Sequence, residues 1–226
     1  MPIAREGVPI ILAFLVLHLV FLAAGWLTGK FFSSVPPVLQ PSLMAVSVLF
    51  ALLALFSLYF FRDPERRVPQ GASLVVSPAD GRVLGIEDVE EKDFFQGPAT
   101  RVSIFMSVFD VHVNRAPVSG NVCYRKYRPG KFFNASLDKA SSDNESLGLG
   151  LEGPDSVKVL VRQIAGLIAR RIVCRAGEGT ALERGQRYGM IRFGSRLEVY
   201  LPPGACWQVS AGDRVTAGES IIARLP

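Results

Sequence analysis

Histidine is nearly absent from this chain. Of 226 residues, only His18 and His112 carry an imidazole. Cysteine is almost as scarce, with Cys123, Cys174 and Cys206 scattered and odd in number. Neither set has the spacing of a metal site, so no metal is assigned, and the thiols read as buried groups in a reducing compartment. The Gly-x-Ser-x-Gly elbow of an α/β-hydrolase does not occur. No lysine stands at a C-terminal hairpin tip, which argues against a carrier domain of the biotinyl or lipoyl type. The cations of "RKYRPGK", Arg125 to Lys131, come without a nucleic-acid-binding motif, so no nucleic acid partner is expected.

Charge is missing from two long stretches. Val8 to Gly29 and Leu43 to Phe61 hold no Asp, Glu, Lys or Arg, and each is long enough to cross a bilayer as a helix. The link between them is proline-rich and has one lysine, Lys30, which suggests a helical membrane hairpin over residues 1–61. The first run is too long for a signal peptide and no small-residue cleavage site follows it. Arg5 precedes the hairpin, and Arg62, Arg66 and Arg67 follow it. The excess of arginine outside the spans places both ends, and the rest of the chain, on the cytoplasmic side of the cell (inner) membrane. His18 falls inside the first span and reads as a helix-contact or interfacial residue. The arginines of "FRDPERRVP" are positioned to meet lipid phosphates.

Residues 62–226 read as mostly β. Short runs such as "SLVVS", "RVLGIEDVE", "TRVSIFMSVFDVHVNRAP", "SVKVLVRQIAGLIARRIVC" and "MIRFGSRLEVYLP" alternate with turn residues. Val157 to Arg171 competes as a helix, but its β-branched content favours a strand. "VSAGDRVTAGESIIARL" has the turn spacing of a barrel-sandwich domain, and "SPADGRVLGI" reads as a matching half. The expected fold is therefore a mostly-β, barrel-sandwich-like soluble domain preceded by an α-helical membrane hairpin.

Three polar residues stand out. His112 is the only imidazole outside the spans, and on a strand it would share a face with Asp110. Asp80 lies in an Asp-Gly turn. Ser195 directly follows Gly194 inside a strand-like run, where glycine marks a bulge or a close backbone approach. Together they supply the parts of a nucleophile relay, in which a carboxylate orients an imidazole and the imidazole accepts a hydroxyl proton. With no elbow, the hydroxyl has another target: the preceding carbonyl of Gly194. An N→O acyl shift followed by β-elimination would cut the chain and leave dehydroalanine at position 195, which addition of water and loss of ammonia would convert to a pyruvoyl group.

"SPADGRV", "FMSVFDVHVNRAPVSG", "SSDNESL" and "IRFGSRLEVYLP" occur in that order and resemble the pyruvoyl-dependent phosphatidylserine decarboxylase family in its short form. The resemblance implies self-cleavage between Gly194 and Ser195 into a β chain, 1–194, and an α chain, 195–226, that stay associated. It implies catalytic Ser195, His112 and Asp80, and a covalent pyruvoyl cofactor derived from Ser195. The serine headgroup of a phospholipid substrate would form a Schiff base to that group and lose CO2, giving phosphatidylethanolamine at the membrane. Longer members carry a second histidine where this chain has Arg115. The resemblance does not say whether His112 then serves both steps, and a homo-oligomer stays open. Archaetidylserine decarboxylation, a non-catalytic barrel-sandwich adaptor and an intact serine hydrolase are the alternatives. The last two leave a whole 24.6 kDa chain.

Overall fold

The computed structural model describes residues 2–31, 36–137, 140–153, 156–167, 171–192 and 194–226. The chain forms two compact units, Met1–Pro64 and Glu65–Pro226. The first is a pair of helices, α1 (Val8–Phe31) and α2 (Leu39–Phe60). Phe21 stacks on Phe50, Gly25 faces Met44 and Gly29 faces Gln40, so the helices run antiparallel. His18 sits at their contact, where its Nδ1 lies 2.9 Å from Ser47 Oγ and 3.0 Å from the Ser47 carbonyl. Pro41 falls in the first turn of α2, where a missing N–H leaves no helical bond unmade. Most of both helices faces outward. By length and hydropathy (2.6 and 2.4) each is able to cross a membrane.

The second unit is mostly β. Its strands are β1 (Leu74–Val76), β2 (Gly81–Glu91), β3 (Gly97–Met106), β4 (Val113–Arg115), β5 (Gly120–Arg128), β6 (Ser146–Glu152), β7 (Lys158–Ile164), β8 (Ile172–Cys174), β9 (Ala181–Leu182), β10 (Arg187–Ile191), β11 (Ser195–Leu201), β12 (Cys206–Trp207), β13 (Arg214–Val215) and β14 (Ile221–Arg224). A short helix, α3 (Ala140–Asp143), lies between β5 and β6. Among the described residues, the large sheet has the order β13-β2-β3-β11-β7-β6-β5-β9 and is antiparallel throughout. Two three-stranded sheets, β1-β14-β12 and β4-β10-β8, complete the fold. The core is filled by alternate residues of the central strands, such as Val102 and Ile104 on β3 and Leu197, Val199 and Leu201 on β11. The two matching halves do meet: β2 pairs with β13 and β1 with β14.

Several expectations change. "TRVSIFMSVFDVHVNRAP" is two strands, β3 and β4, separated by a turn. "MIRFGSRLEVYLP" is also two strands, β10 and β11, which belong to different sheets. Val157 to Arg171 contains the strand β7 and not a helix; its residues 168–170 lie outside the described set. The thiols are not buried as a group, because Cys123 on the outward side of β5 and Cys206 are exposed. Arg66 is not a lipid-facing cation: its side chain is 10% exposed and pairs with Asp80.

Candidate active site

The glycine inside the strand-like run marks a change of sheet. β10 ends at Ile191 and β11 begins at Ser195, so the chain crosses from a small sheet to the large one at Gly194. Its φ is +68°, a left-handed value that a Cβ makes costly. Ser195 opens β11 opposite Met106 of β3 and is fully buried. Its Oγ has no hydrogen-bond partner among the described residues. A buried hydroxyl left in that state costs on the order of 1–3 kcal/mol.

His112 reaches this junction from a turn. The carboxylate of Asp110 accepts bonds from Ser107 N–H and Ser107 Oγ, both at 2.8 Å, and so closes the turn that ends β3. This capping outcompetes strand alternation, so Asp110 and His112 precede β4 and do not share a strand face. The main-chain carbonyl of Asp110 accepts a bond from His112 Nδ1 at 3.0 Å. On the other side, Gly194 N–H donates to His112 Nε2 at 3.4 Å. The pattern assigns the proton to Nδ1 and the lone pair to Nε2, one peptide from Ser195. The imidazole is fully buried.

The Gly194 carbonyl has its own seat. A Cβ at position 166 would stand 2.1 Å from that oxygen and 3.3 Å from the Ala135 methyl, so only glycine admits the carbonyl there. Asn144 fixes both walls. Its Nδ2 donates at 2.8 Å to the Phe133 and Ala165 carbonyls, and its Oδ1 accepts Phe133 N–H at 2.9 Å. Sequence reasoning assigned no role to Gly166 or Asn144. The available signals were a glycine just past a strand and an asparagine within "SSDNESL".

Asp80 is held elsewhere in its hydrogen bonding. Arg66 Nη2 spans both carboxylate oxygens at 3.0 and 2.8 Å, and Ala217 N–H donates to Oδ1 at 2.8 Å. In this arrangement the Asp110 carbonyl orients the imidazole, while Asp80 ties the C-terminal segment to the segment leaving the helices. Burial raises the Asp80 carboxyl above its ordinary 3.8, against the opposing pull of Ala217 N–H and Arg66. Arg115 is buried on β4, donates to the Gly185 carbonyl at 3.0 Å and packs toward Gly218.

The face of β11 away from the core is also buried, and it is polar. Arg196 pairs with Glu198 at 3.1 Å and bonds Ser103 Oγ at 2.6 Å. Glu198 also accepts bonds from Ser141 Oγ at 2.7 Å and Tyr200 OH at 2.6 Å. Arg162 extends the network from Tyr200 to Glu91. Burial, then the Glu198 charge, pushes the Tyr200 hydroxyl far above its usual range. Ser195 therefore begins a strand whose both faces are locked.

The sequence profile of the phosphatidylserine decarboxylase family matches residues 53–223. The chain belongs to the phosphatidylserine decarboxylase family. It is 48% identical over 224 residues to the phosphatidylserine decarboxylase proenzyme of Symbiobacterium thermophilum, covering 99% of this chain and 96% of that protein. The proenzyme of Nitratidesulfovibrio vulgaris is 55% identical over 179 residues, covering 79% of this chain and 82% of that one. That of Aromatoleum aromaticum is 46% identical over 227 residues, with 99% and 96% coverage. In this decarboxylase Gly194-Ser195 lies where the chain crosses between sheets, with the imidazole of His112 against it.

Proposed function

We propose that this chain is a proenzyme that cuts itself between Gly194 and Ser195 and then decarboxylates the serine headgroup of phosphatidylserine at a membrane. The observation that carries the reading is the junction: a left-handed Gly194, a buried Ser195 Oγ with no partner among the described residues, and an imidazole nitrogen that accepts the Gly194 N–H.

The chain's own atoms supply the steps of the cut. His112 Nε2 takes the Ser195 Oγ proton as Oγ attacks the Gly194 carbonyl carbon. The C–N bond breaks, the nitrogen takes a proton and an ester joins 194 to 195. Loss of the Ser195 α-proton then expels the Gly194 carboxylate from Cβ, which frees the β chain, 1–194. Addition of water and departure of ammonia leave a ketone at the head of the α chain, 195–226. The seat formed by Gly166 holds the scissile carbonyl through the attack.

The residues present fit a pyruvoyl group at position 195. Such a group supplies an electron sink for loss of CO2 from a carboxylate on an amine-bearing carbon. His112 Nε2 is placed to return a proton to that carbon. Burial of the site keeps bulk water from competing. The two helices carry the spans that hold the enzyme to the bilayer, with the arginines flanking them on the cytoplasmic side. The α chain stays bound because β11 is paired on both edges by strands of the β chain.

The test is an intact mass spectrum of purified wild-type and Ser195→Ala proteins. The wild type should give two fragments, the small one with a ketone in place of its amine. The variant should stay whole and release no CO2 from phosphatidylserine. A variant that still splits at this bond overturns the scheme.

A further inference from the structure

Two segments touch Gly194 and a third packs against one of them, and each carries an exposed apolar side chain close by. Val108 lies against Gly194, and its neighbour Phe109 is 64% exposed. Gly166 seats the Gly194 carbonyl, and its neighbour Leu167 is 63% exposed. The turn holding Ala135 also holds Leu137, 53% exposed, whose carbonyl accepts a bond from Arg196. A soluble surface scatters such residues singly. Here they ring one buried junction.

Two arginines join them at the same end of the sheet. Arg82 and Arg214 are direct cross-strand partners on β2 and β13, and both are exposed. Arg82 is also opposite Phe105, one residue from the Met106 that faces Ser195. Like charges placed opposite each other are unfavourable, so the pair calls for an outside anion. Arg214 lies 3.6 Å from Asp110, next to Phe109, while Arg82 has no ion pair among the described residues. Asp213 caps Ser210 N–H in its own turn, and Asp80 is held by Arg66 and Ala217.

We propose that this rim is a second membrane contact of the enzyme: Phe109, Leu137 and Leu167 enter the bilayer interface while Arg82 and Arg214 meet lipid phosphates. Exposed apolar side chains flanked by cations are the composition an interfacial contact uses. The choice of a bilayer as occupant rests on the headgroup-decarboxylase reading above. The rim would set the depth of the junction, so that a headgroup reaches it without the lipid leaving the membrane.

The test uses the full chain with Trp26→Phe and Trp207→Phe, and one new reporter, Phe109→Trp or Leu167→Trp. Each is reconstituted into phosphatidylcholine–phosphatidylglycerol vesicles with chain-brominated lipid. Both reporters should be quenched by the bromines and shielded from aqueous iodide. Quenching by iodide alone overturns the proposal. Shielding from both means that protein covers the rim, a second copy included, and overturns it as well. The fluorescence reads the contact whether or not CO2 is released, so a failure of the decarboxylase reading shows separately, as no CO2 from wild type. A second arm compares Arg82→Gln/Arg214→Gln with wild type. At about fivefold per charge, activity on anionic vesicles at low salt should fall roughly 25-fold. Activity on monomeric short-chain phosphatidylserine should hold. Equal loss on both substrates would place the arginines in the headgroup site and refute a surface role.

Discussion

Gly166→Ala isolates the seat of the scissile carbonyl. The added methyl would stand 2.1 Å from the Gly194 oxygen, well inside contact distance. Something must move by about an ångström, and misplacement of that size costs up to ~10²-fold in rate where reacting atoms must align. The neighbouring atoms are main chain and a methyl, and Asn144 ties both walls, so the displacement falls on the carbonyl itself. Overpacking of this kind costs about 1–3 kcal/mol, which a domain with this core tolerates. The expected product is a folded, uncut precursor. The assay is a time course of chain cutting on denaturing gels, with a thermal melt of the same sample. Gly177→Ala is the control, since nothing lies within 4 Å of a Cβ there. If Gly166→Ala melts near wild type and cuts at the wild-type rate, the carbonyl does not occupy this seat when Ser195 attacks. A shared loss in the control would mean that cutting responds to any glycine change in the domain.

His112→Ala should slow cutting or CO2 release by ~10²–10⁴-fold, the usual worth of a positioned acid or base. A paired assay of both steps shows which step it serves, and wild-type rates in both would make the imidazole structural. Glu198→Ala leaves Arg196 buried without its carboxylate, so it should destabilise by about 3–5 kcal/mol, near 10 °C in melting temperature; a shift under about 2 °C would show that the network contributes little. The raised Asp80 carboxyl makes the folded chain bind a proton at higher pH than the unfolded chain does, so stability falls as pH rises from the ordinary 3.8 through the raised value. Asp80→Asn, in the uncut Ser195→Ala chain, should flatten that fall in urea titrations, and an unchanged slope would count against it.

What was legible in the sequence is what local pattern encodes. Alternation along Leu197, Val199 and Leu201 marks a strand, and the charge-free runs mark the helices. The turn at Asp110 was misread because the alternation of Asp110, Val111, His112 and Val113 mimics a strand, while one side-chain cap to Ser107 decides otherwise. The alternate residues Arg196, Glu198 and Tyr200 are polar, yet they are buried. Ser141, from the segment beyond β5, reaches Glu198 and helps to cover them, and no period-two rule reports a covering segment. The Gly166 seat is illegible for a simpler reason. It joins residues 28 positions apart through a main-chain contact that leaves no side-chain signature.

The proposed cut between Gly194 and Ser195 would fall at the end of a locked strand, where a bond can be broken without loss of the fold. The left-handed junction is one residue long, and the strand after it is fixed on both edges and both faces. β11 pairs from Ser195 to Leu201 with β3 and from Arg196 to Tyr200 with β7. The proposed cut would remove one covalent link at the end of that strand and none of these bonds. Downstream, β13 and β14 pair with β2 and β1, and Ala217 reaches Asp80. Every strand of the α chain except β12 is thus hydrogen-bonded to the β chain, and β12 is held through β14. The freedom gained on the proposed cut would be confined to the new ends at residues 194 and 195. Those are the atoms that must rearrange to make an electrophile.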